Sequence, residues 1–340
     1  MSRQRSGLRI SLTMKYVGGS MFRIGVDLGG TNIAAGLVDD NYKIVDRESV
    51  KTNVPRPAES IVQDIAGLVN VLRERNNLEE KDIEAVGVGV PGTINEDTGY
   101  VEYSNNIRFE NVPFIEMLSG LISIPVRFGN DANVAALGEY LAGGYNVQSF
   151  VMITLGTGIG SGIILDGRLI KGINFAASEL GHTVIKMGGE LCTCGRRGCF
   201  EAYASATALI RDTRRRMTSE EYFGENAAMK TVLWDLCGKD MDNIEAKHVF
   251  DAVKLHDELA NELFSDYTDY LAEGIANIIN ILQPELVCIG GGVSKAGKML
   301  LAPVKEKVAK LIFSKNSAKN TDIELARLDN DAGIIGAAML

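Results

Sequence analysis

No run of about 18 consecutive apolar residues occurs in the chain, so no segment reads as a membrane-spanning helix. The apolar stretch nearest that length, residues 274–282, is interrupted by Asn277 and Asn280. Basic charge is not in excess either. Lys and Arg number 35 against 44 Asp and Glu, a formal net charge of −9, which removes any whole-molecule attraction to phosphate backbones or anionic membranes. Neither a nucleic-acid nor a membrane partner is expected. Cysteine is scarce and odd in number, with five at positions 192, 194, 199, 237 and 288. Without a secretory signal, that count argues against a disulfide framework and for metal or core roles in a cytoplasmic protein. The remaining composition, 46% hydrophobic and 23% charged over 340 residues, excludes disorder, collagen and coiled coil. It corresponds to about two domains at roughly 100–200 residues each.

Residues 1–20 carry Arg3, Arg5, Arg9 and Lys15 and no acid, a composition shared with organelle transit peptides. The simpler expectation is a disordered N-terminal extension, with patterned sequence from Met21. Two strands, 22–27 and 33–38, form a hairpin around Gly29-Gly30-Thr31, and a third strand follows around 42–52. Residues 57–74 have helical spacing, 85–90 read as a strand buried on both faces, and 124–128 as the next strand. A helix then starts at Asn130-Asp131 and runs to 141. The pattern restarts with strands 150–155 and 159–165, an irregular segment, and mostly helix over 199–283. Strand 286–289, a glycine triplet, a helix over 297–312, strand 323–326 and a helix from 332 close the chain. The repeated plan of strand, glycine turn and strand predicts two related α/β lobes with a cleft between them.

Cys192-x-Cys194-x4-Cys199, with His182 ten residues upstream, supplies three thiolates and one imidazole, a set suited to one tetrahedral zinc. Four protein ligands close such a site, so its role is structural. Cys237 and Cys288 lie in apolar context and are expected in the core. Asp27-x-Gly29-Gly30-Thr31 places an acid and free backbone N–H groups where an anion can approach, although a tight hairpin turn alone also accounts for it. Gly156-Thr157-Gly158-Ile159-Gly160-Ser161-Gly162 repeats the arrangement, with more glycine than a hairpin turn needs. The two loops together could clamp a polyphosphate. Gly290-Gly291-Gly292-Val293-Ser294 offers a third close approach of backbone to a nucleotide.

Two near-motifs fail. Gly292-x4-Gly297-Lys298 lacks a Walker A hydroxyl because Met299 follows the lysine, and the 156–162 run departs from G-x-G-x-x-G. Asn105, Asn130, Asp131, Glu179, His182 and Glu201 are polar residues near element ends, a mixture of amides and carboxylates suited to a polyol. Asp131 reads either as a helix-capping acid or as a general base toward a hydroxyl attacking phosphorus.

These motifs, in order, resemble the ROK family of sugar kinases and sugar-responsive repressors, within the actin-like ATPase superfamily. The resemblance rests on Asp27-Leu-Gly-Gly-Thr31, Gly89-Val-Pro-Gly92, Asn130-Asp-Ala-Asn133, Gly156–Gly162, Glu179-Leu-Gly-His182, Cys192-Thr-Cys-Gly-Arg-Arg-Gly-Cys199-Phe-Glu201 and Gly290–Ser294. It runs from Met21 to the C-terminus and implies a two-lobed, ribonuclease H-like α/β fold. The lobes would be 21–130, joined by the C-terminal helix 331–340, and 131–330, which carries the zinc loop 182–201.

The resemblance further implies MgATP as co-substrate. Asp27, Gly29, Gly30, Thr31, Gly156, Thr157 and Gly158 would lie at its phosphates, and Gly290, Gly291 and Gly292 at the nucleoside. Asp131 would be the base toward a sugar 6-hydroxyl, with Asn105, Asn130, Glu179, His182 and Glu201 around the sugar. His182 would serve zinc with one ring nitrogen and the sugar with the other. Glucose is the expected acceptor. Another hexose, an N-acetylhexosamine, polyphosphate as donor, or a non-catalytic sugar sensor are the alternatives, and relatives imply a homodimer or tetramer. Two departures stand out. Asn174-Phe-Ala-Ala-Ser178 replaces small glycine-rich residues, so Phe175 could reshape the sugar pocket. The lead-in before Met21 is too short for the helix-turn-helix of family repressors.

Overall fold

The computed structural model describes residues 21–223 and 230–340; the extension expected at 1–20 lies outside the described residues. Strands β1 (Phe22–Leu28), β2 (Asn32–Val38) and β3 (Ile44–Lys51) form an antiparallel meander. Strand β4 (Ile83–Val90) pairs parallel to β1. Next, β5 (Thr93–Asn95), β6 (Tyr100–Ser104) and β7 (Phe109–Val112) fold into a small antiparallel sheet of their own, and β8 (Val126–Asn130) returns parallel to β4. The first sheet therefore has the order β3-β2-β1-β4-β8.

Strands β9 (Phe150–Leu155), β10 (Ile159–Leu165), β11 (Arg168–Leu169), β12 (Leu286–Gly290) and β13 (Asp322–Leu325) repeat the plan as β11-β10-β9-β12-β13. Again the first three are antiparallel and the last two parallel. The doubled α/β architecture matches the expectation from the two glycine hairpins.

Apolar patterning explains the layers. The continuous apolar run of β4 is buried almost throughout, as a parallel strand covered on both faces must be. Helix Ala58–Arg75 lays Ile61, Ile65, Leu68 and Leu72 into one core. The 25-residue helix Glu258–Leu282 is the spine of the other. Cys237 and Cys288 are buried, as expected.

The two sheets meet through a pair of crossing helices, Asp131–Ala142 and Asp331–Ala338, and glycine lies at every layer of the contact. A Cβ on Gly25 would sit 1.8 Å from the Ile334 carbonyl oxygen, and one on Gly87 1.8 Å from that of Ala337. Between the helices, a Cβ on Gly336 would meet the Val134 oxygen at 1.8 Å, and one on Gly138 the Ala332 oxygen at 2.0 Å. On the far side Gly162 and Gly160 face Ala136 and Ala132, where added Cβ atoms would come within 2.4 and 2.9 Å. The C-terminal helix therefore packs on the first sheet.

Three differences from the sequence reading emerge. Gly160 and Gly162, which the sequence reading grouped with the phosphate loop, pack against Ala132 and Ala136 of the helix Asp131–Ala142. The β5–β7 meander and the short helix Phe114–Ser119 had no counterpart in the reading, because their burial alternates irregularly and no apolar run marks them. Strand β8 begins two residues later than expected, at Val126.

Two polar contacts tie distant segments. Glu139, fully buried, accepts from Arg327 N (2.7 Å), Leu328 N (3.1 Å) and the Tyr145 hydroxyl (2.7 Å), pinning the entry to the C-terminal helix. Lys171 Nζ lies 2.7 Å from Glu96 Oε2, joining the loop after β11 to the β5–β6 turn.

Gly336→Ala is expected to destabilise the protein by about 1–3 kcal/mol, since backbone must move to admit the methyl. At Gly67, exposed inside helix Ala58–Arg75, a Cβ meets nothing within 4 Å. Gly67→Ala should accordingly stabilise by about 0.5–1 kcal/mol. Denaturant unfolding of the two variants checks both signs.

Candidate active site

The β1–β2 and β9–β10 turns are built to leave N–H groups free. In the first, Gly29 N donates to Asn32 O (3.0 Å), while Thr52 holds the Gly29 carbonyl with its hydroxyl (2.6 Å) and the Thr31 carbonyl with its N–H (2.9 Å). In the second, Ala206 N donates to Gly156 O (2.9 Å) and the Thr207 hydroxyl to Thr157 O (2.7 Å). The N–H groups of Gly30 and Thr31, and of Thr157 and Gly158, have no partner among the described residues. Consecutive free amides of this kind form an anion-binding concavity. The end of β12 adds Gly291, whose φ of +82° and close approach to Leu155 require glycine. At Gly156 and Gly292 an added Cβ would meet only open space, so nothing inside the protein forbids a side chain there; each leaves room for a bound group. Asp27 and the 29–31 turn border a cavity of about 530 Å³, whose far wall holds the Arg47–Asp331 ion pair (3.1 Å).

Carboxylates gather beside these turns. Asp131 is the first residue of helix Asp131–Ala142 and accepts from Ala132 N (2.8 Å). The cap itself is Asn130, whose side-chain oxygen accepts from Ala132 N and Asn133 N at 3.1 Å each, while its amide nitrogen donates to Gly92 O (3.1 Å). Capping thus falls to Asn130, and Asp131 is free of that duty. Burial raises the Asp131 carboxyl above the ordinary aspartate range. Asp27 is pushed up to about 6 by burial and then by the nearby Asp131 charge. Glu179 is raised chiefly by burial; the adjacent His182 opposes the shift, and Asp131 and Glu201 add to it. Asp27, Asp131, Glu179 and Glu201 therefore form one electrostatic neighbourhood. Asn105 sits exposed in the β6–β7 turn, and its neighbour Asn106 lies under Gly30, where an added Cβ would be 3.5 Å from the Asn106 oxygen.

Side-chain donors of His182, Cys192, Cys194 and Cys199 all lie within 4.8 Å of one another. His182 Nδ1 is 3.5 Å from Cys192 Sγ, and Cys194 Sγ is 3.7 Å from Cys199 Sγ. A tetrahedron with Zn–S of about 2.3 Å and Zn–N of about 2.0–2.1 Å has edges of roughly 3.5–3.8 Å, so the donor set fits zinc. Burial, and then the neighbouring Cys194 and Cys192, push the Cys199 thiol up to about 12, a cost that a divalent cation reverses. Gly195 and Gly198, at φ of +84° and +86°, make the tight turns between ligands. The other imidazole nitrogen, Nε2, is 4.0 Å from Glu179.

Glu201 has a role that sequence reading missed. Its Oε2 accepts from Ile159 N (2.9 Å) and its Oε1 from the Thr193 hydroxyl (3.1 Å), so one carboxylate joins the β9–β10 turn to the cysteine loop. An added Cβ at Gly158 would lie 2.3 Å from that carboxylate. The spacing of Glu201 two residues after Cys199 was the available signal; its partner at Ile159 was not.

Linkage gives a test of the crowded carboxylates. A folded-state value near 6 for Asp27, against an ordinary 3.8, means that the folded chain holds a proton which the unfolded chain releases between about pH 4 and 6. The stability contributed by neutral Asp27 is therefore lost as pH rises through 6. Asp27→Asn should unfold at a higher temperature than the parent at pH 7.5 in the absence of nucleotide, with the gap closing toward pH 4 in a thermal-denaturation series.

Comparison with known proteins follows the same lines. The glucokinase of Thermotoga maritima is 37% identical over 93% of this chain and 96% of its own, and that of Halalkalibacterium halodurans 36% identical over 93% and 94%. The crystal structure of a ROK family glucokinase from Streptomyces griseus, in complex with glucose and AMPPNP, superposes with a TM-score of 0.78 at 35% identity, covering 94% of this chain and 98% of that one. The family profile described as ROK family matches residues 23–340, and with a match of that extent the chain belongs to the ROK family.

Proposed function

We propose that this chain is an ATP-dependent sugar kinase that transfers the γ-phosphoryl group to the 6-hydroxyl of glucose. The observation that carries the reading is the position of Asp131: half-buried at the start of a helix whose cap is Asn130, and near enough to Asp27 and Glu179 for its charge to raise both. Relatives named glucokinase at 36–37% identity support the choice of sugar.

In this reading the amides of 30–31 and 157–158 grip the phosphates, and the open space at Gly156 and Gly292 admits the nucleotide. Magnesium travelling with ATP supplies charge neutralisation at the phosphates, with Asp27 the carboxylate that organises it. Asn105, Asn130, Glu179, His182 and Glu201 orient the sugar. Asp131 takes the proton of the 6-hydroxyl as that oxygen bonds to γ-phosphorus, and the bond to the β,γ-bridging oxygen breaks to release ADP. The base accounts for about 10²–10⁴-fold of the rate, and positioning for much of the remainder. The lobes, taken as 21–130 with 331–340 and as 131–330, close to exclude water as a competing acceptor.

His182 Nδ1 and the three cysteines would hold zinc, which supplies rigidity and, with four protein ligands, no activated water. His182 then presents Nε2 to the sugar side in a fixed orientation.

The first test is MgATP-dependent phosphorylation of glucose beside mannose, fructose, N-acetylglucosamine and N-acetylmannosamine. Glucose is expected to dominate. Dominance of another sugar points to Phe175, which adopts φ of +60° in the loop before Glu179, and no turnover with any acceptor overturns the kinase reading. Asp131→Asn should lower kcat by about 10²–10⁴-fold while glucose still binds by calorimetry. Because the active form is the carboxylate and burial raises its pKa, kcat/KM should fall with decreasing pH already above the ordinary aspartate range.

Cys194→Ser is expected to lose one equivalent of zinc by native mass spectrometry and to weaken glucose binding while leaving the protein folded. Full zinc content in the variant would contradict the ligand assignment.

A further inference from the structure

Away from the cleft, the segment bearing the cysteine loop leans over helix Ala206–Met217 and helix Glu258–Leu282 and encloses a second cavity of about 530 Å³. Its wall carries five cations, Lys186, Arg197, Arg211, Arg215 and Arg216, against three acids, Glu190, Asp212 and Asp266. A local basic excess of two stands out on a chain whose net charge is −9.

The cations fall into two classes. Arg211 is fixed by Asp212 (2.8 Å), Arg215 chelates Glu190, and Arg216 pairs with Glu262. Lys186 and Arg197 have no carboxylate within 4.0 Å among the described residues. Arg197 spends one N–H on the Gly189 carbonyl at 3.3 Å, and Lys186 spends one on the Tyr270 hydroxyl at 3.3 Å. The Lys186 ammonium rests 5.6 Å from the centroids of both Tyr203 and Tyr270, whose rings are 4.6 Å apart. Cation–π contact holds the stem in place without neutralising the charge. Several donors of both side chains remain unspent.

We propose that this cavity binds a small phosphate monoester. A phosphate monoester carries about −1.5 to −2 charge at pH 7 and three strong acceptor oxygens, enough to bond Lys186 and Arg197 at once, while Asp266, the wall carboxylate with no cation within 4.0 Å among the described residues, offsets part of their charge. Its volume lies within the roughly 300–1,000 Å³ of small-molecule sites, and the tyrosine pair provides an apolar wall and a hydroxyl for the organic body. A ligand there would bridge the cysteine loop, through Lys186 and Arg197, to the two helices beneath. The inference does not depend on the reading of the cleft.

Calorimetric titration of the zinc-loaded full chain with inorganic phosphate and with glucose 6-phosphate tests it, set against the Lys186→Met/Arg197→Gln variant. These substitutions leave both glycine turns and all four metal-ligating side chains in place. The parent is expected to bind at least one of the two ligands, with affinity falling as KCl is raised, and the double variant to bind it about tenfold or more weakly at unchanged zinc content. Equal affinity for both ligands places recognition in the phosphate, and preference for glucose 6-phosphate adds the organic body. Should the double variant fail to fold, Lys186→Met alone should still show a severalfold loss. Binding identical in parent and variants would assign it to the cleft and overturn the proposal, as would no binding to 10 mM. Dissociation of an oligomer on substituting Lys186 would also overturn it, by making the cavity an interface between copies.

Discussion

Everything in this molecule is hung on a contact made at glycines. From the first sheet to the second, the chain passes through two crossing helices, and at each layer a glycine lets backbone lie against backbone or against a methyl. Only a residue without Cβ permits an approach in which the added atom would fall 1.8 Å from a carbonyl oxygen. Because the helix of Asp131 is one of the crossing pair, the same contact that joins the sheets fixes where that carboxylate emerges. Glu139, two turns further along, anchors the other helix by gripping the backbone at Arg327 and Leu328. Architecture and chemistry therefore share one element.

The site itself is a balance between like charges and the donors around them. Burial raises the proton affinity of Asp27, Asp131 and Glu179; the Asp131 charge adds to it at Asp27, and those of Asp131 and Glu201 at Glu179. Such crowding is costly and would be relieved by a cation or hydroxyl donors placed among the carboxylates. The cysteine loop acts on this balance from the side. Through His182 it meets Glu179, and through Thr193 and Glu201 it reaches the turn at Ile159. One loop thus touches both Glu179 and the β9–β10 turn.

Much of this was legible in the sequence where one local rule dominates. The hairpins around residues 29–31 and 156–158 read directly because apolar strands flank glycine. The buried run of β4 and the ligand spacing 182, 192, 194 and 199 were equally plain. The β5–β7 meander was invisible, since three- to five-residue strands with irregular burial leave no period to detect. Glycine was the ambiguous letter. At 160 and 162 it makes room for a helix and at 156 for open space, and no local feature separates the two uses. Asn130 and Asp131 were named together, but only the folded structure divides them into the cap and a first-turn carboxylate bonded to Ala132 N. The Glu201–Ile159 bond and the Lys171–Glu96 pair join residues 42 and 75 positions apart, beyond the reach of any spacing argument.

The crossing at glycines also constrains how the two halves can move. Helices that interlock through ridges and grooves resist rotation and yield by small sliding steps, which is shear. Helices that touch at glycine backbones have no ridges to lift over one another, while their carbonyl contacts oppose translation along either axis. The crossing is accordingly better suited to a pivot than to a slide. The Lys171–Glu96 pair joins a loop of the second sheet to the turn of the small β5–β6 hairpin, so a rotation about the crossing would have to keep or break this single ion pair.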